Sequence, residues 1–481
     1  MSILGLNGAP VGAEQLGSAL DRMKKAHLEQ GPANLELRLS RLDRAIAMLL
    51  ENREAIADAV SADFGNRSRE QTLLCDIAGS VASLKDSREH VAKWMEPEHH
   101  KAMFPGAEAR VEFQPLGVVG VISPWNFPIV LAFGPLAGIF AAGNRAMLKP
   151  SELTPRTSAL LAELIARYFD ETELTTVLGD AEVGALFSAQ PFDHLIFTGG
   201  TAVAKHIMRA AADNLVPVTL ELGGKSPVIV SRSADMADVA QRVLTVKTFN
   251  AGQICLAPDY VLLPEESLDS FVAEATRFVA AMYPSLLDNP DYTSIINARN
   301  FDRLHRYLTD AQAKGGRVIE INPAAEELGD SGIRKIAPTL IVNVSDEMLV
   351  LNEEIFGPLL PIKTYRDFDS AIDYVNSKQR PLASYFFGED AVEREQVLKR
   401  TVSGAVVVND VMSHVMMDTL PFGGVGHSGM GAYHGIYGFR TFSHAKPVLV
   451  QSPVGESNLA MRAPYGEAIH GLLSVLLSTE C

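Results

Sequence analysis

A chain of 481 residues is too long for one ordinary hydrophobic core and predicts two or three domains. Its 47% hydrophobic and 21% charged residues are those of a soluble globular protein, which excludes the disordered and fibrous classes. A formal charge of −16 repels polyanions, and no Lys/Arg stripe offsets it, so no nucleic-acid partner is expected.

In chain order, residues 1–10 lack a basic stretch followed by an apolar one, so no secretory signal is expected. Leu39, Leu42, Ile46, Leu49 and Leu50 recur at spacings of three and four and predict an amphipathic helix. Arg110-Val-Glu-Phe-Gln114 alternates like a strand, and Gly117-Val-Val-Gly-Val-Ile122 suits a buried one. The apolar run 128–142 is broken by Gly134, Pro135 and Gly138 and falls short of the ~20 residues of a membrane span, so it reads as a buried helix. Strands and helices then alternate: a strand at 146–149, a helix at 155–168, and strands at 175–178 and 194–197. A second series follows Gly223-Gly224, with strands at 228–230, 260–263, 385–387 and 405–408 and a helix from Leu268. Such alternation predicts an α/β fold built on parallel sheets with crossover helices. The glycine-rich run 421–435 reads as a loop, and the apolar tail at Leu472, Leu473, Val475, Leu476 and Leu477 as a segment that packs on the enzyme or on a partner subunit. Cys75, Cys255 and Cys481 are far apart with no CxxC pair, so neither a disulfide framework nor a metal site is expected, and the compartment reads as reducing and cytoplasmic.

Three polar residues stand out against apolar surroundings. Cys255 ends Phe249-Asn-Ala-Gly-Gln-Ile-Cys255, where Gly252 lets the backbone turn closely. A thiolate there would be a nucleophile once its pKa is lowered, although an isolated cysteine is more often a small core residue. Glu221 ends an apolar strand before a Gly-Gly turn and could act as a general base, or equally pair with Lys225 at an exposed strand end. Asn126, between prolines in Pro124-Trp-Asn-Phe-Pro128, could donate to an oxyanion or close an Asx turn. Phe197-Thr-Gly-Gly-Thr201 ends a strand and opens a helix, a place for a pyrophosphate, and Lys149-Pro-Ser-Glu152 offers a cation and a carboxylate to a ribose or simply a solvated turn.

Together with Asn352-Glu-Glu-Ile-Phe-Gly-Pro358 and Pro421-Phe-Gly-Gly424, these segments resemble the aldehyde dehydrogenase superfamily in order and spacing from about residue 15 to 450. The resemblance implies that Cys255 is the nucleophile, Glu221 the base, and Asn126 with the Cys255 backbone N–H the oxyanion hole. It places Trp125, Lys149, Glu152, Gly199, Gly200, Glu354 and Phe356 at a bound NAD, with NADP as an alternative. It further implies two Rossmann-like domains and a small β oligomerisation arm. The cofactor domain would comprise 1–107 and 118–221, the catalytic domain 222–412, the arm 108–117 and 413–450, and a tail 451–481. The segments around Cys255 and after Phe422 are similar to the class 3 branch, including its bacterial coniferyl aldehyde-oxidising members. That implies a homodimer acting on an aromatic aldehyde such as coniferyl aldehyde, without a membrane anchor. Fatty or medium-chain aldehydes, a CoA-acylating reaction, and a cofactor-free cysteine hydrolase using Cys255 and His434 are the alternatives. Two positions depart from the family pattern: Ala204, where many relatives have glycine, and His427, often asparagine, whose role the pattern does not assign.

Overall fold

The helix Leu35–Glu51 forms where the periodicity places it, because Asn34 caps its first turn by accepting from the Leu37 amide at 2.9 Å and Leu42, Ala45, Met48 and Leu49 face the core. The computed structural model describes residues 3–5, 11–329, 332–455 and 457–478; Cys481 and most of residues 1–10, on which two expectations rested, lie outside them.

Among the described residues two seven-stranded sheets carry the molecule. The first runs Ile3–Leu4, Leu174–Val177, Arg145–Lys149, Val118–Ile122, His194–Gly199, Val218–Leu222 and Gly429–Met430, parallel except for the last strand. Its central strands are buried along almost their whole length, as expected of a sheet covered on both faces. The chain builds outward from Val118–Ile122 to one side and then returns to His194–Gly199 on the other. The crevice at the carboxyl ends of these two strands is therefore the topological switch point, where ligands bind in open α/β sheets. The apolar run 128–142 is indeed a buried helix, Val130–Ala141. At Gly138 a Cβ would lie 3.0 Å from the Gly438 backbone, so only glycine lets the helix Gly435–Thr441 cross it so closely.

The second sheet runs Arg317–Glu320, Thr339–Val342, Leu359–Tyr365, Tyr260–Pro264, Pro227–Val230, Ala383–Phe387 and Ala405–Val408, with only the first strand antiparallel. A third, antiparallel sheet pairs Ser443–Val450 with Glu108–Pro115, and the latter with Glu98–His100. The glycine-rich run 421–435 is more than a loop. Gly429–Met430 pairs with Leu220 and Glu221 and so closes the edge of the first sheet. The tail helix Glu467–Leu476 forms, yet Leu472, Leu473, Val475 and Leu476 are exposed, so the expected packing on the enzyme does not occur within one chain.

Candidate active site

The segments that carry chemistry leave neighbouring strands at one end of the first sheet. Trp125 and Asn126 follow Val118–Ile122, Gly200 follows His194–Gly199, and Gly223 follows Val218–Leu222. The second sheet contributes Cys255, on the turn that enters Tyr260–Pro264. A cavity of about 920 Å³ joins them, lined among others by Trp125, Asn126, Gly199, Gly200, Glu221 and Cys255. Glu354 and Phe356 complete the same wall. Lys149 and Glu152 do not line it; they lie one strand away, where the buried Lys149 ammonium donates to Glu152 Oε2 and to the Pro150 carbonyl, each at 3.3 Å.

The Cys255 turn is held by backbone rather than by side-chain bulk. Asn250 and Ala251 adopt left-handed conformations with φ of 48° and 51°, which chains tolerate only where the surroundings over-determine them. Gly252 has φ +71°, and a Cβ there would meet the Gly357 carbonyl oxygen at 2.4 Å, so its freedom serves the approach of another loop rather than of a ligand. The Tyr385 hydroxyl donates to the Leu256 carbonyl at 2.6 Å and fixes the far side of the turn. Asn126 Nδ2 donates to the Gln253 carbonyl at 3.2 Å, so this amide is seated on the nucleophile's own turn rather than closing an Asx turn. One of its two N–H groups remains available to a ligand.

The thiol of Cys255 departs from expectation. Burial, with the carboxyls of Glu354 and Glu221 after it, pushes it up to about 12 against the opposite pull of the Cys255 and Leu256 backbone N–H groups. The residue is thus a neutral thiol in the free protein. Glu221 is only 2% exposed, and neither carboxylate oxygen has a hydrogen-bond partner among the described residues. Burial alone holds its carboxyl well above the ordinary range. Lys225 does not pair with it; the ammonium is engaged by Asp259 and by the carbonyls of Val350 and Glu353 at 2.7 and 2.9 Å. A buried carboxyl left uncompensated in a cavity marks Glu221 as a candidate functional group, because a structural one would be paired.

The cofactor wall fits a dinucleotide. A Cβ on Gly200 would meet nothing within 4 Å, which leaves the amino end of the helix Thr201–Ala212 open to an anion. A Cβ on Gly223 would strike the Glu354 carboxylate at 2.2 Å, so this glycine lets the carboxylate lie over the strand end. Burial, with the charge of Asp259 next, pushes Glu354 up to about 7. Trp125 stands edge-on to Phe356 with ring centres 5.4 Å apart, and Phe356 is held at φ 48°. The class of donors matches: carboxylate for sugar hydroxyls, helix amides for phosphate, aromatic rings for a planar base. Ala204 is 1% exposed on the same helix and packs among Phe197, Ile207 and Leu220, so its methyl is absorbed by the core.

Several residues of this site were not legible as such. Arg67 and Asp76 form a fully buried ion pair at 2.7 Å. Arg67 also donates to the Asn126 carbonyl at 2.8 Å, and Asp76 accepts from the Ile129 and Val130 amides at 3.0 and 3.2 Å. Asn250 and Gln253 continue this network under the nucleophile. Asp259 accepts from the Ile355 amide at 3.0 Å and so orients Glu354. Phe439 is core, 1% exposed against Trp94 and Phe113, and takes no part in the cavity.

Residues 8–448 match the Aldehyde dehydrogenase family. The chain is 56% identical over 470 residues to a Caulobacter vibrioides protein named Probable coniferyl aldehyde dehydrogenase, covering 95% of this chain and 96% of the relative. A substrate-bound Staphylococcus aureus AldH superposes with a TM-score of 0.90 at 32% identity, covering 98% of this chain and all of that one (100%). Betaine aldehyde dehydrogenase from Staphylococcus aureus, in complex with NAD+, superposes with a TM-score of 0.81 at 28% identity over 92% of this chain and 88% of its own.

Proposed function

The chain belongs to the aldehyde dehydrogenase family and oxidises aldehydes, and we propose that it converts an aromatic aldehyde such as coniferyl aldehyde to its acid through a thioester on Cys255. The observation that carries this reading is the meeting of Cys255, Asn126 and an unpartnered Glu221 in one cavity with the Gly199-Gly200 turn. The substrate class is supported by the relative named for coniferyl aldehyde, and NAD, with NADP as an alternative, by the complex described above.

When bound, the nicotinamide dinucleotide supplies the hydride acceptor. Glu354 would hold its ribose and Phe356 and Trp125 its ring, with Gly199 and Gly200 at the phosphates and Lys149 and Glu152 at the adenosine ribose. Cys255 gives up its proton, by way of the Glu221 carboxylate to solvent, as its sulfur bonds to the aldehyde carbon, while Asn126 Nδ2 and the Cys255 backbone N–H hold the oxyanion. Loss of hydride leaves a thioester. Water then attacks the same carbon as Glu221 takes its proton; the C–S bond breaks, and the carboxylic acid and the thiol are released. A raised Glu221 suits a base that must work near neutrality.

The domain division expected above and a cytoplasmic homodimer joined through the arm belong to the same reading. A panel of cinnamyl, benzyl and long-chain aldehydes, scored by kcat/KM with NAD and with NADP, tests it. Cinnamyl aldehydes should be preferred, and equal rates across the panel would remove the aromatic assignment.

A further inference from the structure

The basic side chains that line the cavity can be accounted for one by one. Lys225 is engaged by Asp259 and two carbonyls, and Arg303 by the Ile355 and Glu354 carbonyls at 2.7 and 3.3 Å. Lys378 faces Asp346 and the ring of Tyr374. Arg380 has no ion pair or hydrogen bond among the described residues, and the imidazole of His427 beside it has none either. In a protein of formal charge −16, whose cavity also presents Glu221, Glu353 and Glu354, an entering dianion needs a cation that is still free.

The backbone of His427 is fixed at the edge of the same cavity. It stands at the tip of a small hairpin closed by the Gly429 amide donating to the Gly426 carbonyl at 3.3 Å. The carbonyl of His427 accepts from Thr201 Oγ1 at 3.1 Å, at the amino end of the helix Thr201–Ala212. The next residue, Ser428, accepts from the Leu222 amide at 3.0 Å, and Gly429 pairs with Glu221. The hairpin therefore ties the phosphate helix to the strand of the base. A Cβ on Gly426 would lie 3.5 Å from Arg380 Cδ, so the stem of Arg380, from the second sheet's side of the cleft, rests against this hairpin.

We propose that Arg380, from the second sheet's side of the cleft, and His427, beside the helix amides, grip the diphosphate of the bound dinucleotide, so that the anion is held across the cleft. This rests on the dinucleotide reading above. Arg380 belongs to none of the motifs that carry the family resemblance, and His427 is one of the two positions that depart from the family pattern.

Full-length wild type, Arg380→Met, Arg380→Lys, His427→Ala and the Arg380→Met/His427→Ala double variant are titrated with NADH by fluorescence, and ADP-ribose and AMP compete for the site. ADP-ribose carries the diphosphate and AMP does not. Arg380→Met should weaken NADH and ADP-ribose by about tenfold, the effect of one charge-assisted hydrogen bond on a partly solvated anion, and leave AMP unchanged. Arg380→Lys should recover part of the loss, His427→Ala should weaken the same two ligands, and high salt should narrow the differences. Unchanged NADH affinity in both single variants overturns the proposal. So does an equal loss for AMP, or a loss confined to NADPH, which would move the contact to a 2′-phosphate. A wild-type protein that binds neither NADH nor NADPH overturns the dinucleotide reading itself.

Discussion

Glu221 sets the chemistry and also a cost. Its folded pKa lies above that of the unfolded chain, so the fold holds this proton more tightly. The resulting stability is complete below the ordinary carboxyl range and is lost as pH rises through that range toward the raised value. Glu221→Gln keeps the shape without the titration, so its Tm should exceed that of wild type by a margin that grows as pH rises above the ordinary carboxyl range. A difference that stays flat with pH would mean the carboxyl is solvated or paired. Cys255 gives a second check at this scale. Because burial and two carboxyls oppose ionisation, its alkylation by iodoacetamide should be slow near neutrality and climb with pH with no plateau by about pH 9. A plateau near pH 7 would show a preformed thiolate. The identities of Cys255, Glu221 and Asn126 were legible because each interrupts an apolar segment at a motif. The direction of the thiol shift was not, since it depends first on burial of the turn and then on Glu354, which lies 99 residues further along the chain and arrives only through the fold.

Between these residues stand the turns that aim them. Most strands and the helix Pro155–Tyr168 were readable because apolar runs and a proline at the first turn mark them locally. The hairpin that pairs Gly429–Met430 with the strand of Glu221 was not, because two residues rich in glycine neighbours carry no periodicity. The network under Asn126 was equally hidden: Arg67 and Asp76 look like ordinary charges of an N-terminal helical region until the Val130–Ala141 helix is packed against them. Both side chains are fully buried, so removing one leaves its partner uncompensated. Arg67→Met should lower the unfolding free energy by about 3–5 kcal/mol in denaturant titration. It should also slow the formation of the thioester, since the Asn126 carbonyl loses one of its two donors and keeps only Asn250 Nδ2. A loss below about 1 kcal/mol would assign the pair to the periphery.

Across the whole molecule, the two mainly parallel sheets meet at a cleft that both of them line, and alternation of strands and helices foretold both sheets. What alternation could not foretell is what faces outward. Ser443–Val450 pairs along one side only, leaving an open backbone edge, and Leu449 and Val450 are exposed beside it. An edge of this kind is covered in solution by a second copy under the homodimer reading, and sedimentation should find a dimer at micromolar concentration; a monomer would remove the arm from that role. The central claim concerns one covalent bond in the cleft, and rapid mixing of Glu221→Gln with NAD and cinnamaldehyde tests it most directly. One NADH per active site should form in a burst, turnover should then nearly cease, and mass spectrometry should find one acyl group on Cys255. Undiminished steady turnover in that variant, or an acyl group on any other residue, would contradict the account.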